Sequence, residues 1–207
     1  MAYYPIFVEM KGRRCVVIGG GTVAQRKVEG LLRAGASVTV ISHTVAEQLR
    51  LLAEAGRIGR VARPYQPGDL AGFQFAFVAT DDAAVTAAVR REAEKLGVLM
   101  NAADDPAQCD FILPSVLHRE DLTVAVATGG ASPALSKAIR EELELYFTED
   151  YAVLAKITAE VRRELREQGL YAEPGTWEQA LSGDLRNLLR RGDIEGAKRY
   201  LRDRLGS

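Results

Sequence analysis

The stretch Cys15–Lys27, CVVIGGGTVAQRK, decides the fold class. Its opening apolar run, with the preceding Arg13 and Arg14, reads as a short strand buried on both faces. Gly19, Gly21 and Ala24 come next in the G-x-G-x-x-A form. The first glycine permits a tight strand-to-helix turn, the second lets backbone approach a pyrophosphate, and the alanine allows close helix–strand packing. Free N–H groups at the start of the helix then face the phosphates, with the helix dipole adding to the attraction. Taken alone, the glycines also fit a purely structural turn; their place between a strand and a helix is what favours dinucleotide binding.

Outward from this turn, short β-branched runs alternate with helical periods. Val23, Val28, Leu31 and Leu32 recur at helical spacing up to Gly35. ASVTVIS (36–42) reads as a second strand, TVAEQLRLLAEAG (44–56) as a helix closed by glycine, and RIGRVARPY as a short strand. FQFAFVAT (73–80), a helix from DDAAVTAAVRREAEKLG (81–97) and VLMNA (98–102) continue the series. This alternation predicts an α/β fold, a Rossmann-type parallel sheet covered by helices on both faces. Near residue 110 the pattern changes. FILPSVLH and LTVAVATGG, separated by RED, predict an antiparallel pair, and Ser132 with Pro133 predicts the cap and first turn of a helix. Beyond TED (148–150) the chain is charged and helical. The expected divisions are 1–113, 114–150 and 151–207.

Balanced charge, 27 Lys and Arg against 28 Asp and Glu, gives no global pull towards nucleic acid or anionic lipid. No apolar stretch is long enough to span a bilayer, and the N-terminal MAYYPIFVEMKGRR lacks the pattern of a signal peptide. A soluble cytoplasmic protein is the expectation. Two cysteines and two histidines, without CxxC or HExxH spacing, argue against a zinc site built by the protein. Cys15 reads as a small buried hydrophobe and Cys109 as a loop residue.

Further candidates fall at strand ends, where doubly wound folds bind ligands. Instead of the acid typical of an NAD site, the second strand ends in Ser42, His43 and Thr44. Hydroxyl and backbone contacts from this stretch could still hold a ribose, and Ser42 or Thr44 could equally cap the next helix. Thr80 is a further cofactor contact in prospect, while Asp81 and Asp82 read as helix caps. NAADDP (101–106) ends the fifth strand with two adjacent acids. An acid there would face a nicotinamide. A plain turn shaped by Asn101, the two aspartates and Pro106 is the competing reading, and chemistry alone does not choose between Asp104 and Asp105.

PIFVEMKGRRCVVIGGGTVAQRKVEGLLRAGASVTVIS, ATDD, NAADDPAQCDFILPS and VAVATGGASPALSKAIREELE together resemble the siroheme synthase family, in unbroken order from about Pro5 to Leu143. The family includes precorrin-2 dehydrogenases, some of which are also sirohydrochlorin ferrochelatases. The resemblance implies a Rossmann domain, a small α+β dimerisation region at 114–150, a helical C-terminal tail and a homodimer. It implies NAD as cofactor, with contacts at Thr22, Val23, His43 and Thr44. The family pattern N-x-x-D-x-P lands on Asn101, Asp104 and Pro106, which makes Asp104 the counterpart of the catalytic aspartate. Thr128 matches a position often held by serine near the substrate cleft, and Asn101 is a further expected substrate contact.

By the same resemblance, precorrin-2 gives a hydride to NAD+ and loses protons, with Asp104 as proton acceptor. If the chain also chelates, Fe2+ is a substrate and the tetrapyrrole supplies its four nitrogen ligands. The substrate's carboxylates call for cations, with Arg119, Lys137 and Arg140 as candidates, each of which also reads as a solvated surface charge. His118 reads as a surface turn residue. Two alternatives remain: a dehydrogenase that leaves chelation to another protein, and a non-catalytic NAD-sensing domain.

Overall fold

The computed structural model describes residues 3–103, 105–181 and 183–206. The chain divides into two compact units, Met1–Leu113 and Pro114–Ser207.

In the first unit, β1 (Arg14–Ile18), β2 (Ser37–Ile41), β3 (Gly59–Val61), β4 (Phe75–Val78) and β5 (Leu99–Ala102) form one parallel sheet ordered β3-β2-β1-β4-β5. This is the doubly wound order, and its reversal lies between β1 and β4. The period-two alternation of the strands divides the core in two. Cys15, Val17, Val38 and Val40 pack with Ala24, Val28 and Leu31 of helix α1 (Thr22–Arg33) and Leu49 of α2 (Glu47–Glu54). Val16, Ile18, Ala76 and Val78 pack on the other side with Val89 and Ala93 of α3 (Ala83–Leu96) and with Leu70 and Met100. Cys15 and Val16–Ile18 are buried on both sides of the sheet, as the opening run predicts.

Two expectations about helix starts change. Asp82, and not Asp81, caps α3, its Oδ1 accepting from the N–H groups of Ala84 (2.8 Å) and Val85 (3.1 Å). Neither Ser42 nor Thr44 caps α2. That helix begins only at Glu47, behind Ala46, because the N–H of Ala46 donates to the carbonyl of Gly20 (2.7 Å) and holds the preceding loop extended.

The second unit begins with the antiparallel pair β6 (Ser115–Arg119) and β7 (Leu122–Val126), whose tight turn places Glu120 at φ 48°. Helix α4 (Pro133–Tyr146) packs on this hairpin, and Ser132 caps it by accepting from the N–H of Leu135 (3.1 Å). Helices α5 (Asp150–Glu167), α6 (Pro174–Ala180), α7 (Gly183–Arg190) and α8 (Ile194–Leu205) surround a separate core of Ile157, Val161, Leu165, Leu185, Leu189 and Leu201. Glu160–Lys198 (2.7 Å) and Glu164–Arg202 (2.8 Å) add ion pairs between α5 and α8. Among the described residues, no helix is long and apolar enough to cross a membrane.

Candidate active site at the sheet rim

The three glycines of the turn do three different jobs. Gly19 has φ 116°, and a Cβ there would stand 2.0 Å from the carbonyl oxygen of Ala79 at the end of β4. Both conformation and space therefore require glycine. Gly20 lies against the neighbouring loop, where a Cβ would meet the Thr44 carbonyl oxygen at 2.0 Å and Ser42 Oγ at 2.9 Å. Gly21 is different, with φ −79° and nothing within 4 Å of an added Cβ. Its surroundings are open, which leaves backbone accessible to a ligand.

Gly21 is also the N-cap of α1 and has no side chain to cap the helix. The N–H of Gln25 makes the first helical bond, to the Gly21 carbonyl (3.0 Å). The N–H groups of Thr22, Val23 and Ala24 precede that bond, and no acidic side chain occupies the first turn. An anionic pyrophosphate fits this helix end by charge, by donor supply and by the space beside Gly21.

Ser42, His43 and Thr44 form a loop locked to the glycine turn. Ser42 Oγ donates to the Thr44 carbonyl (2.6 Å), and Arg60 Nη2 donates to that of His43 (3.4 Å). The structure thus brings Gly19, Gly21, Thr22, Val23 and the 42–44 loop together on one rim. Thr80 lies two residues beyond the end of adjacent β4, and its Oγ1 accepts from the N–H of Asp82 (3.3 Å).

Asn101, at the end of β5, is expected as a substrate contact but is 6% exposed, with both polar ends of its side chain engaged within its own unit. Its Oδ1 accepts from Lys27 Nζ (2.8 Å), and its Nδ2 donates to the Phe111 carbonyl (3.0 Å). Phe111 in turn stacks edge-to-face on Phe75 and Phe77. Asp104, the candidate base, lies outside the described residues. Beside it, Asp105 is extended (φ −132°, ψ 86°), and its Oδ1 accepts from the N–H of Ala107 (3.1 Å) to cap a 3₁₀ turn at Pro106–Gln108. Asp105 therefore shapes the loop.

Cys109 closes this loop, with burial pushing its thiol pKa up against the pull of the Ala102 N–H and Lys27. Asp110 fastens the far side: one oxygen accepts from the N–H of Met100 (2.8 Å) and the other pairs with Arg90 (2.7 Å).

In the second unit, Thr128 Oγ1 donates to the Ser132 carbonyl (3.0 Å) and accepts from the Ser132 N–H (3.0 Å), closing the turn before α4. It also meets the buried Ser136 hydroxyl (3.1 Å). Lys137 is exposed, 3.7 Å from Glu141. Arg119 is tied to the Phe147 carbonyl (3.0 Å) and Glu149 (3.3 Å), and Arg140 is paired with Glu141 and Glu144. His118 is exposed but lies on β6 and not in a turn, facing Thr123 across the hairpin (Nδ1–Oγ1 3.1 Å).

Sequence reasoning missed Gly20, Lys27 and the closing role of Cys109. A third consecutive glycine, beyond what the motif needs, is the signal for Gly20. Lys27 stands three residues after Ala24, on the edge of the stripe that faces the sheet, but its partner is 74 positions away. Among the described residues, no group of three or more His, Cys, Asp or Glu side chains could hold a metal ion.

The strand order and the open helix start define a Rossmann-type dinucleotide-binding protein. Residues 6–115 match the family described as putative NAD(P)-binding, and residues 119–144 match the family of the sirohaem biosynthesis protein central region. The chain is 38% identical to the siroheme synthase of Methylococcus capsulatus over 205 residues, which are 97% of this chain and 43% of that protein. It is 36% identical to the siroheme synthase of Photorhabdus laumondii over 207 residues, 99% of this chain and 44% of that protein. Among solved structures, SirC, a precorrin-2 dehydrogenase, superposes with a TM-score of 0.77 and 27% identity, covering 97% of this chain and 100% of that one. The chain belongs to the putative NAD(P)-binding family and spans less than half the length of the siroheme synthases it matches.

Proposed function

We propose that the protein is an NAD-dependent precorrin-2 dehydrogenase that forms sirohydrochlorin. One observation carries this reading: the likeness to SirC runs through essentially the whole of both chains, so it includes the hairpin and helical unit as well as the nucleotide fold. The uncapped start of α1, open beside Gly21, supplies the nucleotide end of the site.

NAD+ bound at this rim supplies the hydride acceptor. The chain's own residues do the rest. Backbone N–H groups at Thr22–Ala24 would hold the pyrophosphate, and the 42–44 loop would contact the ribose. Asp104 accepts a proton released as the tetrapyrrole is oxidised, a task for which a carboxylate is suited. Asn101 and Asp105 support the loop that carries it, and Thr128 and Lys137 are the proposed substrate contacts of the second unit. In the same proposal, Asp104 also takes pyrrole protons if Fe2+ is inserted as a second reaction.

The proposal extends to a cytoplasmic homodimer, with 114–150 as the dimerisation region and 151–207 as a separate helical region. Leu135 (51% exposed) and Leu145 (84%) on α4 support an apolar contact there.

The test is to incubate the purified protein with precorrin-2 and NAD+ or NADP+, with and without Fe2+. Sirohydrochlorin formed with NAD+ in the absence of iron supports the reading; bound nucleotide with unchanged precorrin-2 overturns it. A further absorption change on adding Fe2+ reports chelation separately. NADP+ belongs in the series because the 42–44 loop has no acid to repel a 2′-phosphate, and Arg60 lies beside it.

A further inference from the structure

Cys109 makes an unusual set of contacts for a thiol that is neither metal-bound nor in a disulfide. Its Sγ accepts from the N–H of Ala102 (3.1 Å) and lies 3.6 Å from Asn101 Nδ2. The same sulfur is 3.3 Å from the carbonyl oxygen of Ala102 and 3.3 Å from that of Asp105, so its S–H is shared between them. Ala102 is the last residue of β5, and Asp105 is the cap of the following 3₁₀ turn. The thiol therefore binds the chain on both sides of positions 103 and 104, and Asp110 secures the next residue to β5 through Met100 and to α3 through Arg90.

We propose that Cys109 is a positioning residue for the reaction: its thiol closes the 102–109 loop, the segment of sequence that contains the proposed base Asp104. This rests on the proposed dehydrogenase function. A thiol suits the place because one sulfur, large and polarisable, reaches three backbone groups at once. It does so as a neutral donor and acceptor, since burial raises its pKa and keeps it protonated at neutral pH. Cys109 is therefore no nucleophile here. The Asn101 and Asp110 side chains tie the base of the loop to β5, and the Asp105 cap and the bond from the Cys109 N–H to the Pro106 carbonyl act within the 3₁₀ turn; the sulfur joins the turn to the end of the strand.

The test compares wild type with Cys109→Ala and Cys109→Ser in the full chain by two measurements. Hydrogen exchange over residues 101–111 reads the clamp. Alanine is expected to speed exchange in this segment while Cys109→Ser restores part of the protection; unchanged exchange in Cys109→Ala overturns the clamp. Turnover of precorrin-2 with NAD+ reads positioning. Cys109→Ala is expected to lose about ten- to a hundredfold in kcat, with KM for NAD+ held within about twofold, because misplacing a catalytic group costs rate and not nucleotide affinity. Cys109→Ser should recover most of the loss. Faster exchange with unaltered kcat, or kcat and NAD+ affinity falling together with Tm, overturns the positioning role. A wild type that binds NAD+ without turning over overturns the dehydrogenase reading instead, and the exchange result then decides the clamp by itself.

Discussion

Lys27 Nζ, on the first helix of the nucleotide-binding unit, donates to Asn101 Oδ1 at the end of the fifth strand across 2.8 Å. The ammonium also lies 5.7 Å from the centre of the Phe77 ring. One cation thus ties the helix behind the glycine turn to the strand that leads into the acidic loop. Removing it in Lys27→Met leaves the buried Asn101 oxygen without its donor, at a cost of about 1–3 kcal/mol. Thermal unfolding should show a drop of about 2–4 °C for each kcal/mol lost in a domain of this size. A melting point equal to wild type would show that the bond contributes nothing.

Gly20 and Gly21 should respond oppositely to alanine. Gly20→Ala forces a Cβ against the Thr44 carbonyl, so the 42–44 loop must move. The expected cost is on the order of 1–3 kcal/mol of stability, with weaker NAD+ binding as a consequence. Gly21→Ala meets open space at an ordinary φ, so the melting point should hold. Its NAD+ affinity should still fall, because the methyl group occupies the space assigned to the pyrophosphate. Calorimetric titration and melting curves on both variants separate the effects; unchanged affinity in Gly21→Ala removes that space from the site.

Asp105 should matter for the loop and little for the chemistry. Asp105→Ala deletes the acceptor for the Ala107 N–H and should cost about 0.5–2 kcal/mol, the range of a lost cap. Asp105→Asn keeps an acceptor oxygen and should turn over precorrin-2 within a few-fold of wild type. If steady-state rates show Asp105→Asn to be more damaging than Asp104→Asn, the assignment within the pair is reversed.

Acid should loosen the loop before β4. The Arg63 guanidinium, paired with Asp69 at 2.7 Å, holds that carboxyl below the usual carboxylate range, aided by the N–H of Gln66. A carboxylate with a lowered folded pKa adds stability above its unfolded pKa and loses it as pH falls through the folded value. The contribution should be complete above about pH 5 and be lost as pH drops below the ordinary Asp value of about 3.9. Urea unfolding of wild type and Asp69→Asn across that window should converge at low pH; a stability gap that is independent of pH would contradict the pairing.

The alternation of strands and helices was legible because two periods, 2.0 and 3.6, are written locally in the chain. The antiparallel pair and the Ser132 cap were legible for the same reason. The start of α2 was not. Ser42 and Thr44 have the chemistry of caps, but a bond from Ala46 to Gly20, residues far apart in sequence, extends the loop and delays the helix. The candidate rim was visible from motif position, whereas its internal fastening was not. Lys27–Asn101 and the sulfur of Cys109 depend on which residues the fold brings together, and no local pattern encodes that.

The central claim is oxidation of the tetrapyrrole at this rim with Asp104 as proton acceptor. The most direct measurement is NADH released per precorrin-2 consumed, for wild type and Asp104→Asn side by side. One NADH for each sirohydrochlorin is predicted for wild type, and retained NAD+ binding with most turnover lost for the variant. Wild-type turnover in Asp104→Asn, or no NADH from the wild-type protein, would contradict the account.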